Sequence, residues 1–421
     1  MASIHHYPHH SLHHRRKPTQ HTDPLVFAHY MICFQPPNGD YKPDILLAQA
    51  AGIDAFAINY GAPGIPWPDL EAFLDKFYHD AASLHFKVFM SYDLEVLSDP
   101  TIMVNTSNTY LHHPAQLWVD NKIFLSSFAT GPPPFSWQHD VLDKIAAPVM
   151  FMPGTIGESA RATAAQFTGS GPFTWIHPAS SVQQEAAIDN DYSAQREVAG
   201  VPWMAGVAPW FFKRMPGMGN WMHAQDDGIW YDRWMHLLDV KPNFIELVTW
   251  NDFGESSYVG PVGAWTGNKQ AQSDCFYGGL NHTAFLSMTK FFTRAFKSGG
   301  GNSSFSISPA EEDVYFFYRL QPAASLGGYG GMPLPKNAKD CKDTVTVLSF
   351  LAEEATVTLA SGGANHTINF PKGVNKQSIP FNFGDQSLSM DRPLGGGRVL
   401  NKKGPPIVQY RDAYTGNVNA I

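Results

Sequence analysis

Short apolar segments recur along the first two thirds of the chain, separated by segments that mix polar and apolar residues. They lie about 31 residues apart on average, close to the roughly 30 residues that one β-strand and its crossover helix need. Their near-continuous apolar character is typical of parallel strands covered on both faces. The eight segments begin at Val26, Ala55, Lys87, Lys122, Pro148, Phe173, Pro202 and Phe244.

Eight such units in about 270 residues predict an α/β fold, a (β/α)8 TIM barrel. The intervening sequence contains helix signals: one helix should open at Pro43 and end at Gly52, and amphipathic patterns cover residues 69–84 and 282–297. A doubly wound sheet is the alternative. It ranks second, because no glycine-rich phosphate turn follows the first apolar segment.

The pattern changes after the glycine- and serine-rich stretch at residues 298–304, which is typical of a linker. Beyond it, segments such as TVTVLSF and ATVTLA alternate with period two, and DVYFFYRL, HTINF, SIPFNF and GRVL are further predicted strands. They predict an antiparallel β-sandwich. We therefore expect a disordered tail at residues 1–24, a barrel domain at 25–299 and a β-sandwich accessory domain at 300–421.

Composition narrows the classes of function. Charged residues make up 16% of the chain and the net charge is −8, which argues against a protein that binds nucleic-acid phosphates. Aromatic residues make up 13%, and grooves lined by Trp and Tyr suit sugar rings. No apolar window is long enough for a membrane span, and no H-E-x-x-H, paired C-x-x-C or G-x-S-x-G motif occurs. We expect no metal, no cofactor and a monomer.

Evidence on the compartment is mixed. Four N-x-Ser/Thr sequons, at Asn105, Asn281, Asn302 and Asn365, fit a secreted protein. Seven of the 18 histidines lie in the first 24 residues, which lack the apolar segment of a secretory signal, so an intracellular location stays open. Three cysteines would allow one disulfide, Cys275 to Cys341, with Cys33 free.

The chemistry of a barrel lies where its strands end, and acidic residues occur at several predicted strand ends. Asp252 should close the eighth strand, and Glu255 follows three residues later, with Gly254 between them permitting a sharp turn. Glycosidic bond cleavage normally needs two such carboxyl groups. The alternative is that both are ordinary loop carboxylates that cap a helix or pair with Lys or Arg.

Further candidates follow from position. Asp93 should end the third strand, as a catalytic or orienting acid, and Glu158 follows the fifth. Asp54 begins the second strand, where a structural role is expected. His29 lies inside the first strand and could point into the barrel mouth. The candidate sugar-binding residues are His29, Tyr30, Asn59, Tyr60, Trp210, Trp250 and Asn251.

Five segments, in order, resemble motifs of glycoside hydrolase family 71, the fungal α-1,3-glucanases or mutanases: VFAHYM, ILLAQAAGIDAFAINYG, KVFMSYD, VPWMAGVAPWFF and TWNDFGESSYVGP. The resemblance implies a catalytic barrel with a β-rich domain, a secreted or cell-wall location, and hydrolysis of α-1,3-glucan with inversion. It implies that Asp252 and Glu255 are the catalytic carboxyls and Asp93 a third necessary acid. By position Glu255 is favoured as the acid and Asp252 as the base, with the reverse open. Inversion would separate the carboxyls by roughly 6.5–9.5 Å.

Two departures from the family pattern keep other functions open. Ser257 stands where the family usually has His, and GPFTWIHPAS differs from the family's tryptophan-rich loop. The alternatives are a non-catalytic glucan-binding protein on the same scaffold and a glycosidase of another linkage.

Overall fold

The computed structural model describes residues 23–61, 69–129, 132–155, 171–175, 182–215, 219–223, 228–262, 266–267, 280–301, 304–327, 333–409 and 417–421. The predictions for the tail at residues 1–22, Glu158, Cys275 and Asn302 lie outside them.

Eight parallel strands close into a barrel, as predicted. Each strand pairs with the next along the chain, and the eighth pairs with the first. Every predicted apolar segment overlaps one of them. The strands are β1 (Leu25–Met31), β2 (Ala55–Tyr60), β3 (Lys87–Asp93), β4 (Lys122–Ala129), β5 (Val149–Thr155), β6 (Phe173–Thr174), β7 (Met204–Val207) and β8 (Phe244–Leu247).

Helices pack around the barrel, and the three that the sequence predicts are present at Lys42–Ala50, Leu70–Ser83 and Thr283–Lys297. Asp99 caps the helix Pro100–Tyr110 by accepting a hydrogen bond from the backbone N–H of Thr101, and Pro100 supplies the fixed φ of a first helical residue. A π-helical turn at Trp137–Val141 and a 3-10 turn at Leu142–Lys144 replace an α-helix between β4 and β5. The α-helices are α1 (Lys42–Ala50), α2 (Leu70–Ser83), α3 (Pro100–Tyr110), α4 (Val182–Ala199), α5 (Ile229–Val240) and α6 (Thr283–Lys297). Within the described ranges, none of these helices combines the length and apolarity that a membrane span requires.

The barrel interior has an apolar floor and a polar mouth. Phe27, Phe89, Phe124 and Phe244 contact one another with ring centroids 4.8–5.7 Å apart. Side chains of a strand alternate between its two faces, so polar residues further along the same strands also point inward. The predicted eighth strand is too long, since it ends at Leu247.

The C-terminal region is an antiparallel sandwich of two four-stranded sheets, as predicted. The strands are β9 (Asp313–Arg319), β10 (Thr344–Leu351), β11 (Ala355–Ser361), β12 (Ala364–Phe370), β13 (Gly373–Pro380), β14 (Gly384–Met390), β15 (Asn401–Ile407) and β16 (Val418–Ala420). The sheet orders are β13-β10-β9-β16 and β12-β11-β14-β15, and the two sheets share an apolar core. The outer face of the first sheet packs on α6 of the barrel, where the rings of Phe291 and Phe350 stack at 4.4 Å.

One predicted strand of the sandwich is wrong. The segment GRVL at residues 397–400 is not a strand, and the strand follows it at Asn401–Ile407. That strand contains Pro405 and Pro406, which argue against a central strand, but β15 lies at the edge of its sheet, where a missing N–H is tolerated.

Candidate active site

The loop after β8 carries the acidic pair and is pinned to the end of β1. The prediction that Asp252 closes the strand is wrong, because the backbone leaves the sheet after Leu247. The N–H of Trp250 donates to the carbonyl of His29 at 2.7 Å. The side chain of Asn251 accepts from the N–H of Met31 at 2.8 Å and donates to its carbonyl at 3.1 Å. The acidic loop therefore lies at the C-terminal mouth of the barrel.

Asp252 sits in surroundings that favour its protonated form. Its side chain is 7% exposed, and its Oδ1 accepts a hydrogen bond from the N–H of Glu255 at 3.0 Å. Burial, together with the negative charge of Glu255, raises the pKa of Asp252 to about 7, although the charge of Lys213 opposes the shift. A carboxyl with such a pKa can hold a proton under mildly acidic conditions and give it away during a reaction.

Glu255 has the opposite surroundings. Its Oε1 lies 2.8 Å from Nζ of Lys213, with the two side chains 27% and 15% exposed. Burial lowers the pKa of Lys213, but the Glu255 carboxylate outweighs burial and raises it overall, so Lys213 stays charged. A cation therefore faces Glu255 directly, whereas burial and the charge of Glu255 raise the pKa of Asp252.

Lys213 is a site residue that the sequence analysis missed. It lies on a hairpin formed by Phe212–Met215 and Gly219–Met222, after β7. The N–H of Phe212 donates to the carbonyl of Glu255 at 2.9 Å, which joins the hairpin to the acidic loop. No pattern in the sequence links a lysine after β7 to a carboxylate 42 positions further on.

Asp93 lies at the end of β3, within reach of the same region. Its Oδ2 accepts a hydrogen bond from Nδ2 of Asn59 at 3.3 Å, and burial raises its pKa. Burial and the charges of Asp252 and Asp93 raise the pKa of the Cys33 thiol to about 12, so both carboxyls lie near that sulfur. Each of the two carboxyls therefore acts electrostatically on the Cys33 thiol.

A buried pair lies below Asp93. Nδ1 of His29 is 2.9 Å from Oε1 of Glu246, and Nε2 of His29 is 3.1 Å from Nδ2 of Asn59. Both nitrogens of His29 are thus occupied by protein, so we do not propose it as a direct sugar ligand. Glu246 was also missed by the sequence analysis, although one acidic residue inside the apolar segment FIELV is a visible signal.

Most of the other predicted sugar-binding residues point away from the mouth. Tyr30 and Tyr60 follow the inward-facing His29 and Asn59, so they face the helices: Tyr30 donates to Asp44 at 2.8 Å, and Tyr60 packs against Tyr92. These assignments are corrected because neither side chain has a free surface.

The remaining three candidates are also buried. Trp250 packs edge-on against Phe56 at 5.0 Å in the layer between barrel and helices, and Trp210 is buried in the same core cluster. Both the oxygen and the nitrogen of the Asn251 side-chain amide are hydrogen-bonded to the backbone of Met31. None of the three presents a face to a sugar, whereas the amide of Asn59 contacts the carboxyl of Asp93.

Two further predicted positions have clear contacts. Oγ of Ser257 lies 3.3 Å from Oγ1 of Thr249, which accepts from the N–H of Asp252 at 2.7 Å, so Ser257 supports the acidic loop. Asp54 accepts from the N–H of Val26 and pairs with Lys297, which fits the expected structural role. Among the residues described, no group of three or more His, Cys, Asp or Glu side chains is arranged to hold a metal ion.

Known proteins resemble this chain along most of its length. A glucan endo-1,3-alpha-glucosidase of Schizosaccharomyces pombe is 29% identical over 413 residues, covering 94% of this chain and 93% of that protein. A mutanase of Penicillium rubens is 26% identical over 403 residues, covering 92% and 85%. An ascus wall endo-1,3-alpha-glucanase of Schizosaccharomyces pombe is 23% identical over 408 residues, covering 89% and 90%.

Solved structures support the barrel. The GH99 endo-alpha-mannosidase of Bacteroides thetaiotaomicron in complex with bis-tris propane superposes with a TM-score of 0.51 at 12% identity, covering 65% of this chain and 98% of that one. At this identity the likeness concerns the fold alone. The family model for glycosyl hydrolase family 71 matches residues 22–421, nearly the whole chain. The chain belongs to glycosyl hydrolase family 71.

Proposed function

We propose that this glycoside hydrolase cleaves α-1,3-glucosidic bonds of α-1,3-glucan and inverts the anomeric configuration. The observation that carries the proposal is the contrast between Asp252 and Glu255 on one loop. The names of the three relatives support the substrate. The name of the ascus wall relative supports action on wall polysaccharide outside the cell.

In the proposed mechanism Asp252 is the general acid and Glu255 the general base, the reverse of the assignment favoured by sequence position. Protonated Asp252 donates its proton to the leaving glycosidic oxygen as the C1–O bond breaks. Ionised Glu255 takes a proton from a water molecule that attacks C1 from the opposite face, which inverts the anomeric centre. The charge of Lys213 favours the Asp252 carboxylate that remains, since it lowers the pKa of that group.

Two variants separate the roles. Asp252→Asn and Glu255→Gln should each lower the rate on α-1,3-glucan by about 100- to 10,000-fold, the range that general acid–base catalysis contributes. The α-glycosyl fluoride of an α-1,3-linked gluco-oligosaccharide can be hydrolysed without a general acid, because fluoride is a good leaving group. Asp252→Asn should therefore keep most of its activity on the fluoride, and Glu255→Gln should not.

Each other result has a definite meaning. The opposite pattern on the fluoride would exchange the two roles. Wild-type protein that binds insoluble α-1,3-glucan but releases no sugar would leave a glucan-binding role. Hydrolysis confined to another linkage in a panel of glucans would replace the proposed substrate.

A further inference from the structure

We propose that Glu246 is a positioning residue: through His29 and Asn59 it holds the carboxyl group of Asp93 in place at the mouth of the barrel. The catalytic consequence rests on the proposed function, whereas the structural consequence does not. Asp93, not Glu246, is the group placed near the substrate.

The four side chains form one continuous series of contacts across four neighbouring strands of the barrel. Glu246 on β8 contacts His29 on β1 at 2.9 Å, His29 contacts Asn59 on β2 at 3.1 Å, and Asn59 contacts Asp93 at the end of β3 at 3.3 Å. Glu246 is 0% exposed and His29 is 1% exposed. The ring of His29 also packs edge-on against Trp175 at 4.9 Å, which limits its rotation.

The direction of the hydrogen bonds follows from the amide group of Asn59. Its NH2 group has two protons, one for Nε2 of His29 and one for Oδ2 of Asp93. Nε2 of His29 must then accept, so the proton of the neutral ring is on Nδ1 and is donated to Glu246. Glu246 thus sets the tautomer that lets Asn59 donate towards ionised Asp93. Turning the amide around would place its oxygen against a carboxylate oxygen.

Packing alone does not explain a glutamate at this position. Among the described residues, the hydrogen-bond partner of Glu246 is His29, and its Oε2 has none. Burial raises the pKa of Glu246, which records the cost of an ionised carboxyl there. The floor of phenylalanines lies two positions earlier on β1 and β8, at Phe27 and Phe244, so an apolar side chain would suit the surroundings.

The test compares variants that interrupt this series of side-chain contacts with one variant that preserves it. Glu246→Leu removes the acceptor, His29→Phe removes both ring nitrogens but keeps a ring against Trp175, and Glu246→Gln keeps an acceptor of the same length. Met152→Leu, an inward-facing and volume-conserving change on β5, is the matched control. Turnover is measured on soluble α-1,3-linked gluco-oligosaccharides, with melting temperatures alongside.

Glu246→Leu and His29→Phe should each lower kcat by roughly 10- to 100-fold, the scale of a misplacement of about 1 Å. The kcat of the double variant should be no lower than that of either single variant, since both substitutions interrupt the same series of contacts. Glu246→Gln and Met152→Leu should stay within about threefold of wild type. The double variant, which replaces both polar partners by apolar groups, should melt no lower than the single variants. Its kcat should nevertheless stay as low as theirs, which a merely structural role would not predict.

The proposal is overturned if Glu246→Leu keeps wild-type kcat, if the two losses multiply, or if Glu246→Gln is as impaired as Glu246→Leu. Crystal structures of wild type and Glu246→Leu give a readout that needs no activity. The Asp93 carboxyl and the Asn59 amide should be displaced in the variant, and unchanged positions would contradict the proposal. Wild-type protein without activity on α-1,3-glucan would contradict the proposed function. The crystallographic comparison would still test whether Glu246 positions Asp93.

Discussion

The two sides of the candidate active site are supported in different ways. Asp93 is held from within the barrel, by side chains of β1, β2 and β8 that belong to its inner face. Asp252 and Glu255 lie on a loop beyond the sheet, and part of their support comes from residues in the region after residue 300. The difference points to a contribution of the region after residue 300 to the geometry of the acidic pair, whereas the described hydrogen-bond partners of the Asp93 carboxyl belong to the barrel.

One of these supports reaches Glu255 through the hairpin that carries Lys213. Arg214, the next residue, donates from Nη1 to the carbonyl of Leu326 at 2.6 Å. On the other hairpin strand, the N–H of Met222 donates to the carbonyl of Lys336 at 3.1 Å. Lys213 therefore faces Glu255 from a hairpin that the segment before β10 holds in place.

The other support reaches the acidic loop through Tyr258. The ring of His282 stacks on that of Tyr258 at 4.0 Å, and Nδ2 of Asn417 donates to the Tyr258 hydroxyl at 3.1 Å. Asn417 immediately precedes β16, the last strand of the sandwich. We therefore propose that the region from residue 300 onward, expected as an accessory domain, is required for a correctly formed acidic loop.

Among the changes that compare the two sides, the largest effect on kcat should come from removing the charge of Lys213 beside the acidic loop. Lys213→Met should lower kcat by about 100-fold, because Glu255 loses its cationic partner. Asp252 has to stay protonated to act as the acid, so activity should fall as the pH rises through its pKa of about 7. The charge of Lys213 lowers that pKa, so the variant's alkaline limb should move to higher pH. The measurement is kcat between pH 4 and 9.

Lys213→Arg is the control for this change, since it keeps a cation beside Glu255. It should recover most of the activity and return the alkaline limb towards its wild-type position. Wild-type kcat and an unmoved limb in Lys213→Met would contradict the role of the ion pair.

A smaller effect on kcat should come from weakening the contact between Asn417 and Tyr258. Asn417→Ala removes the hydrogen bond to Tyr258 and should lower kcat by about 10-fold, as the acidic loop loosens. Asn419→Ala is the matched control, because Asn419 accepts from the N–H of Asn281 and has no such bond to the acidic loop. Steady-state kinetics and melting temperatures are measured on both. Equal losses of kcat in the two variants would show a general effect on the fold.

The smallest effect concerns stability and compares the two aspartates directly. An aspartate in an unfolded chain ionises near pH ~3.9, but the folded pKa of Asp252 is about 7. The stability that protonated Asp252 contributes is therefore full below about pH 4 and lost as the pH rises towards 7 and above. At pH 8, Asp252→Asn should raise the melting temperature by a few degrees, and at pH 4 by very little.

Asp93→Asn should gain less at pH 8, because the charge of Asp93 is held by the Asn59 amide and by the N–H of Glu95 at 3.0 Å. Thermal melts of both variants at the two pH values make the comparison. An equal gain in the two variants would mean that their surroundings do not differ in the proposed way.

The parts of this account that sequence could supply are those that depend on local pattern. The period of the apolar segments located all eight barrel strands, and the acidic pair was visible at the end of the last segment. Strict alternation along β1 and β2 would also have removed Tyr30 and Tyr60 from the site once His29 and Asn59 were placed inward. Glu246 was readable in the same way, as a charge at an apolar position.

The missing parts depend on contacts between distant segments. Lys213 reaches Glu255 only because a hairpin folds back over the mouth, and Asn417 reaches Tyr258 across 159 positions. Neither residue type nor local spacing signals such a contact. The difference in burial between Asp252 and Glu255 also depends on contacts with distant segments. Their different electrostatic surroundings therefore could not be predicted from two acids three residues apart.

The most direct test of the central claim, that Asp252 and Glu255 act as acid and base on opposite sides of the scissile bond, is the configuration of the first product. Wild-type enzyme is mixed with soluble α-1,3-linked gluco-oligosaccharides, and the anomeric protons are followed by NMR before mutarotation. The account predicts that the β-anomer appears first. Initial release of the α-anomer would contradict it, because a single displacement by water cannot retain the configuration.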